Sequence, residues 1–204
     1  MDKKTHWETV YHTKSPDQVS WTQEIPKTSL KLIETCKLEK TAKIIDIGGG
    51  DSKLVDFLIH AGYENISVLD ISAKALEKAQ KRLGSQADKI TWIVCDVLEF
   101  EPSTKYDLWH DRAAFHFLTA PEQIAKYIET ASRHVQNYAI LGTFSESGPK
   151  KCSGLPIEQY SEEKISAAFR PGFEKIRCQT EVHETPLGTK QHFLFCSFKK
   201  RALV

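Results

Sequence analysis

From residue 43 onward, short apolar runs alternate with segments whose apolar residues recur every three or four positions. Buried parallel strands read as continuous apolar runs and surface helices as periodic stripes, so this alternation predicts βαβ units and a parallel sheet. "KIIDIG", "NISVLD", "KITWIVCDV", "YDLWHD" and "YAILGTF" are the first strand candidates. Between the first two, "SKLVDFLIHAG" puts Leu54, Val55, Leu58 and Ile59 on one helical face, with Asp51 or Ser52 as N-cap and Gly62 as the stop. The next helix opens at Ser72, carries Leu76, Ala79 and Leu83 with a Glu77 to Lys81 pair, and ends at Gly84. Pro121 suits the first turn of a helix whose Ile124, Tyr127, Ile128, Ala131 and Val135 share a face.

After residue 145 the pattern loosens into "SESGPKKCSGLP", too polar to be core, followed by a short helix near Ser161 to Phe169. "FEKIRCQTEVHE" and "KQHFLFCSFKK", separated by "TPLG", read as an antiparallel pair, leaving one reversed strand at or near the sheet edge. Before residue 42 two helical pieces are expected, one around Trp7 and Tyr11 and one from about Thr28 to Cys36. Residues 1–41 then form an N-terminal arm or lid and residues 42–204 the main unit, within one structural domain of a size that buries a full core.

Composition narrows the classes of function. Lys plus Arg number 28 and Asp plus Glu 27, a balance without the footprint of a general nucleic-acid binder. The five cysteines, Cys36, Cys95, Cys152, Cys178 and Cys196, contain no C-x-x-C pair, so neither a disulfide framework nor a zinc site is expected. Reduced thiols, a polar N-terminus and the absence of a long apolar run predict a soluble, cytoplasmic protein with no membrane partner.

The chemistry begins at "IIDIGGGDS". A loop after the first strand lies at the carboxyl edge of an open α/β sheet, where ligands bind. Gly48, Gly49 and Gly50 are followed by Asp51, Ser52 and Lys53, so the third glycine of a dinucleotide fingerprint is missing, as is the Gly-Lys-Ser/Thr of an ATP loop. Asp46 at the strand end would repel phosphates and suits a cationic, phosphate-free adenosine ligand such as S-adenosylmethionine. Asp70 ends the second strand, where an acid can take two ribose hydroxyls. Asp96 ends the third, in reach of an adenine amino group, with the Val97 amide beside it.

"IIDIGGGDS", "VLDIS", "WIVCDV" and "YDLWHDRAAFHFL" together resemble the successive motifs of the class I S-adenosylmethionine-dependent methyltransferases, over residues 42 to about 145. The resemblance implies a Rossmann-like, seven-stranded, mostly parallel α/β sheet flanked by helices, with an antiparallel C-terminal hairpin strand. It also implies Asp46 and Gly48 to Gly50 at the methionine moiety, Asp70 at the ribose, and Asp96 with Val97 at the adenine, with Ile71 also in the cofactor set. "DLWHDRAAFHFL" and the lead-in "HWETVYHTKSPDQVSW" are similar to segments of both the small protein-lysine methyltransferases and the thiopurine S-methyltransferases. Where the thiopurine group has Trp-Asp-Arg-Gly-Ala, this chain has Ala113 in place of the glycine, and His116 stands where the lysine branch carries its second acid.

On the acceptor side, Asp111, Arg112 and His116 follow the fourth strand and are the catalytic candidates, Asp111 also being placed to meet the methionine ammonium. Arg112 is alternatively an ion-pair partner of Asp111 or Asp107, and His116 a packing residue. An amine acceptor must lose a proton, whereas a thiolate needs only a positive neighbour. Trp7, Tyr11 and Trp21 could form a lid offering ring faces to a sulfonium, with Trp21 in the cofactor set. The loop from Ser145 to Pro156 is a second lid candidate, and its Cys152 has no evident base. No metal is expected. The reading is a methyltransferase acting on a protein lysine or on a small thiol or other small molecule. The alternatives are a silent cofactor-binding module and a nicotinamide oxidoreductase, which lacks its glycine and a Tyr-x-x-x-Lys relay.

Overall fold

The computed structural model describes residues 2–202. Strands β1 (Lys43–Ile47), β2 (Asn65–Asp70), β3 (Ile90–Val94), β4 (Tyr106–Arg112) and β5 (Val135–Phe144) are parallel. Two two-residue strands, β6 (Lys151–Cys152) and β7 (Leu155–Pro156), make a separate small hairpin. β8 (Phe173–Glu184) and β9 (Lys190–Lys200) complete a seven-stranded sheet in the order β3-β2-β1-β4-β5-β9-β8. β9 is antiparallel to both neighbours, so the single reversed strand lies one in from the edge.

Alternation along β1 divides the core. Ile45 and Ile47 face the layer of α5 (Pro121–His134) and α6 (Glu162–Phe169), while Ile44 faces α2 (Lys27–Thr35), α3 (Leu54–His60) and α4 (Ala73–Leu83). Side chains from a strand point alternately to opposite faces, so each strand feeds both layers. Because β1 lies at the centre with β2 and β4 on either side, the chain leaves the sheet in opposite directions there, and the carboxyl edge opens into a crevice.

The N-terminal pieces are α1 (Lys3–Thr13), capped by Asp2, and α2. α1 reaches over the crevice. Its Glu8 carboxylate accepts from the Ala73 amide at 2.7 Å, so a side chain of the arm caps the first turn of α4 alongside Ser72. Lys3 Nζ donates to the Phe117 carbonyl at 3.1 Å, and Lys78 Nζ donates to that of Lys14 at 2.7 Å.

Four local expectations change. Lys53, not Asp51 or Ser52, occupies the N-cap position of α3, though Ser52 Oγ still accepts from the Leu54 amide at 3.1 Å. Glu77 pairs with Lys74 at 2.8 Å rather than with Lys81, because it turns toward the start of its helix. Val135 begins β5 instead of ending α5. The polar loop after residue 145 folds into the β6–β7 hairpin, and Cys152 packs into the core against Phe144 and Phe193.

A fifth correction concerns the cysteines. Cys178 and Cys196 face one another in the β8–β9 register and are joined by a disulfide. They lie 18 residues apart and only the hairpin register brings them together, so spacing alone concealed the pair. Cys36, Cys95 and Cys152 are free.

The sheet is tightly packed where β9 enters it. A Cβ on Gly142 in β5 would lie 2.6 Å from Cε1 of the buried Phe195 on β9. Gly142→Ala should therefore cost about 1–3 kcal/mol through overpacking. Urea denaturation checks this, and an unchanged midpoint would mean that the ring yields.

Candidate active site

A cavity of about 350 Å³ lies at the carboxyl edge of the sheet, with Asp46, Ile47, Gly48, Gly49, Asp70, Ile71, Asp96 and Val97 in its wall. The turn after β1 is glycine-dependent. Gly48 and Gly50 have φ of +63° and +51°, and a Cβ on Gly48 would fall 2.5 Å from that of Ala114. Gly49 donates its amide to the Leu69 carbonyl at 3.1 Å, drawing the loop against the end of β2. Arg82 of α4 clamps the next stretch by donating to the carbonyls of Asp51 at 2.8 Å and Ser52 at 2.9 Å while pairing with Asp56 at 2.7 Å.

Asp46 is buried at the end of β1 and does not stand alone. His110 is its register partner on β4, and His110 Nδ1 donates to Asp46 Oδ1 at 2.7 Å. His110 Nε2 lies 2.9 Å from Ser29 Oγ on α2, which donates to it when the ring is neutral. The chain Ser29–His110–Asp46 links α2, β4 and β1 in the cavity wall. Sequence reading passed over Ser29 and His110, because the register that sets His110 beside Asp46 is specified only in the folded sheet.

The other acids differ in their surroundings. Asp70 accepts from the Ser72 amide at 2.8 Å. Burial, aided by Asp51 and Asp46, pushes its carboxyl up to about 7. Tyr11 packs its hydroxyl against the same corner, 2.6 Å from where a Gly50 Cβ would be. Burial, with Asp70 and Asp51 nearby, raises that phenol well above its ordinary range. Asp96 caps the turn at Val97–Glu99, accepting from the Leu98 amide at 2.9 Å, and keeps a place on the cavity wall.

The three catalytic candidates separate. Asp111 points into the opposite layer, accepting from the amides of Ala114 at 3.0 Å and Phe115 at 3.1 Å and from the Tyr127 hydroxyl at 2.7 Å. Burial lifts its carboxyl to about 6 against these bonds, and it is not part of the cavity wall. His116 is also outside that wall. Its Nδ1 accepts from the Phe144 amide at 3.3 Å, and burial followed by repulsion from Arg112 lowers the imidazole to about 3. Only Arg112 lines the cavity.

An aromatic group roofs the space. Trp7 lies 5.5 Å from Trp21 and 5.2 Å from Phe117 between ring centroids, and Tyr11 lies 6.1 Å from Trp21. Cys152 closes one side, and burial pushes its thiol up to about 11, so it is protonated near neutral pH. Among the described residues no group of three or more His, Cys, Asp or Glu could hold a metal.

Residues 44–137 match the family described as "Methyltransferase domain". Over those residues the chain matches a methyltransferase domain, and its sheet order is that of the class I S-adenosylmethionine-dependent methyltransferase fold. It is 36% identical over 154 residues, 72% of its length, to the malonyl-[acyl-carrier protein] O-methyltransferase of Anoxybacillus flavithermus, and spans 57% of that relative. The fold is similar to a SAM-dependent methyltransferase from Anabaena variabilis, with TM-score 0.75 and 15% identity over 98% of this chain and 96% of that one. It is equally similar to the N-methyltransferase NodS from Bradyrhizobium japonicum in complex with S-adenosyl-L-homocysteine, with TM-score 0.75 and 13% identity over 98% and 100% of the two chains. S-Adenosylmethionine is the cofactor of this domain class, and the wall fits it. A row of carboxylates with a Cβ-free turn repels phosphate but accepts hydroxyls and a cation.

If the Ser29–His110–Asp46 chain holds the turn, His110→Ala should cost about 3–5 kcal/mol by leaving a buried acid without its partner. Ser29→Ala, which removes a neutral hydroxyl, should cost only about 1 kcal/mol. Chemical denaturation of the two variants measures the ratio, and equal losses would contradict this account.

Proposed function

We propose that this chain transfers the methyl group of S-adenosylmethionine to a small acceptor drawn into the roofed cavity, rather than to a lysine on the surface of another protein. The roof carries the reading: Trp7, Tyr11, Trp21 and Phe117 close over the wall that bears the acids and leave a compact, largely apolar space. In-line transfer from a sulfonium needs positioning and exclusion of water more than it needs a catalytic group. A lysine acceptor would in addition need a base, and Asp111 and His116 are engaged elsewhere. The relative from Anoxybacillus is by name an O-methyltransferase, which supports an oxygen nucleophile. Of residues 1–41, α1 and the segment through Trp21 serve here as the lid, while α2 packs on the sheet within the same structural domain.

In this reading Asp70 takes the ribose hydroxyls, Asp96 and Val97 the adenine edge, and Asp46 with the glycine turn and Trp21 the methionine end. Bound at this wall, the cofactor supplies an activated methyl group. Asp111 acts indirectly, through the turn at Ala114 and Phe115 that backs Gly48.

The raised Asp70 carboxyl sets a pH dependence. A ligand offering two hydroxyl donors favours the ionised acid, so binding should release a proton and strengthen as pH rises through about 7. The same group makes the cofactor-free fold lose stability as pH rises from its unfolded value toward 7, because ionisation is then penalised only in the folded state. Titration with S-adenosylhomocysteine by calorimetry at pH 6 and 8, in two buffers of different ionisation enthalpy, measures the released proton. Asp70→Asn should weaken binding at least about tenfold and abolish the proton release. Binding of NAD in place of S-adenosylhomocysteine would sink the proposal, and tight binding without turnover on any acceptor would point to a silent module.

A further inference from the structure

Four cations line the cavity: Lys3, Lys53, Arg82 and Arg112. Lys53 pairs with Glu24, Arg82 with Asp56, and Lys3 rests on the Phe117 carbonyl. Arg112 is paired with neither acid that the sequence offered it. Asp111 is turned to Tyr127, and Asp107, near the start of β4, accepts from the Lys43 amide and from Asn137.

The guanidinium of Arg112 instead stacks 4.6 Å above the Phe193 ring and uses Nη1 to donate to the Trp21 carbonyl at 3.0 Å. Among the described residues its Nε and Nη2 are buried and have no partner. Buried donors left unfilled lose their hydration with nothing in return, and the loss is greater when they are charged. A native wall that keeps two of them on one guanidinium has a reason to do so. Both are donors only, so what fills them must accept, and the guanidinium adds a preference for negative charge.

We propose that Arg112, with Trp21 beside it, is the acceptor-recognition site, and that the acceptor is a small carboxylic acid bound as its carboxylate. The inference rests on the methyltransferase reading above and deepens it. A carboxylate matches the planar fork of a guanidinium with one or both oxygens, and the dry, stacked setting strengthens such a contact. It also accounts for the missing base. The carboxylate oxygen takes the methyl group with its own lone pair while the sulfur–carbon bond breaks and leaves its electron pair on sulfur. One anion and one cation disappear, a neutral ester and a thioether form, and no proton moves. The Trp21 carbonyl is taken by Nη1, which leaves Nε and Nη2 for the acid, and because both are buried the wall yields locally to admit it.

The test uses the full chain saturated with S-adenosylhomocysteine. Calorimetry compares hexanoate, benzoate and succinate with their amides and with hexanethiol. At least one acid should bind about tenfold or more tighter than its amide, and Arg112→Met should remove that preference while Arg112→Lys keeps part of it. The affinity of each variant for S-adenosylhomocysteine, measured in parallel, reports whether it is folded; the acid-to-amide comparison in the wild type stands whatever the variants do. With S-adenosylmethionine, radiolabelled product from the acids should release volatile methanol in base, as methyl esters do. Acids that bind no better than their amides, a stronger response to the thiol, or a preference that survives Arg112→Met would each overturn the proposal. Failure of the wild type to bind S-adenosylhomocysteine would overturn the methyltransferase reading instead.

Discussion

The contact between Asp46 and His110 is the point on which the site depends. A carboxylate at the end of a central parallel strand is buried by the sheet on both sides, and an unmatched buried charge would be expelled or protonated. His110 matches it from the neighbouring strand, and Ser29 matches His110 from the helix layer above. One file of hydrogen bonds thus joins β1, β4 and α2 directly beneath the turn at Gly48 and Gly49. With that file in place, Asp46 can keep its second oxygen toward Gly49, and the glycine turn can lie flat on the sheet.

Around this anchor the carboxyl edge is divided by the pleat. His110 and Arg112 share one face of β4, and Asp111 between them points to the other. The two on the cavity side serve the loop and the open space, while Asp111 is spent on the turn that supports Gly48. Three consecutive residues with similar chemical promise therefore have different tasks for a geometric reason. That reason is the two-residue period of a strand.

This period also explains what could be read in the sequence. The order of strands and helices was legible, because alternation of apolar runs with periodic segments is a long-range pattern that single errors do not erase. The acids at three strand ends were legible for the same reason, since they recur at the same place in each βα unit. The partners were not. Asp46 meets His110 across 64 residues and Ser29 meets it across 81, and both encounters depend on register that only the folded sheet specifies. His116 and Asp111 looked catalytic because the end of β4 faces the crevice, but which side each takes depends on where the strand stops. Ala113 adopts φ of +69°, the left-handed region that favours glycine, so the turn after β4 has a backbone shape that its residue type did not announce.

The arm that roofs the cavity has a consequence for how the molecule is made. Glu8 needs the amide of Ala73, Lys3 the carbonyl of Phe117, and His6 lies 3.3 Å from the Ser153 hydroxyl. The residues of α1 thus find their last partner only when the chain has been made as far as Ser153, 147 residues beyond His6. Until Phe117 is made, the aromatic face of α1 has only Trp21 to pack on, so the ceiling cannot be complete before the floor of strand ends at Asp46, Asp70 and Asp96 has been synthesised.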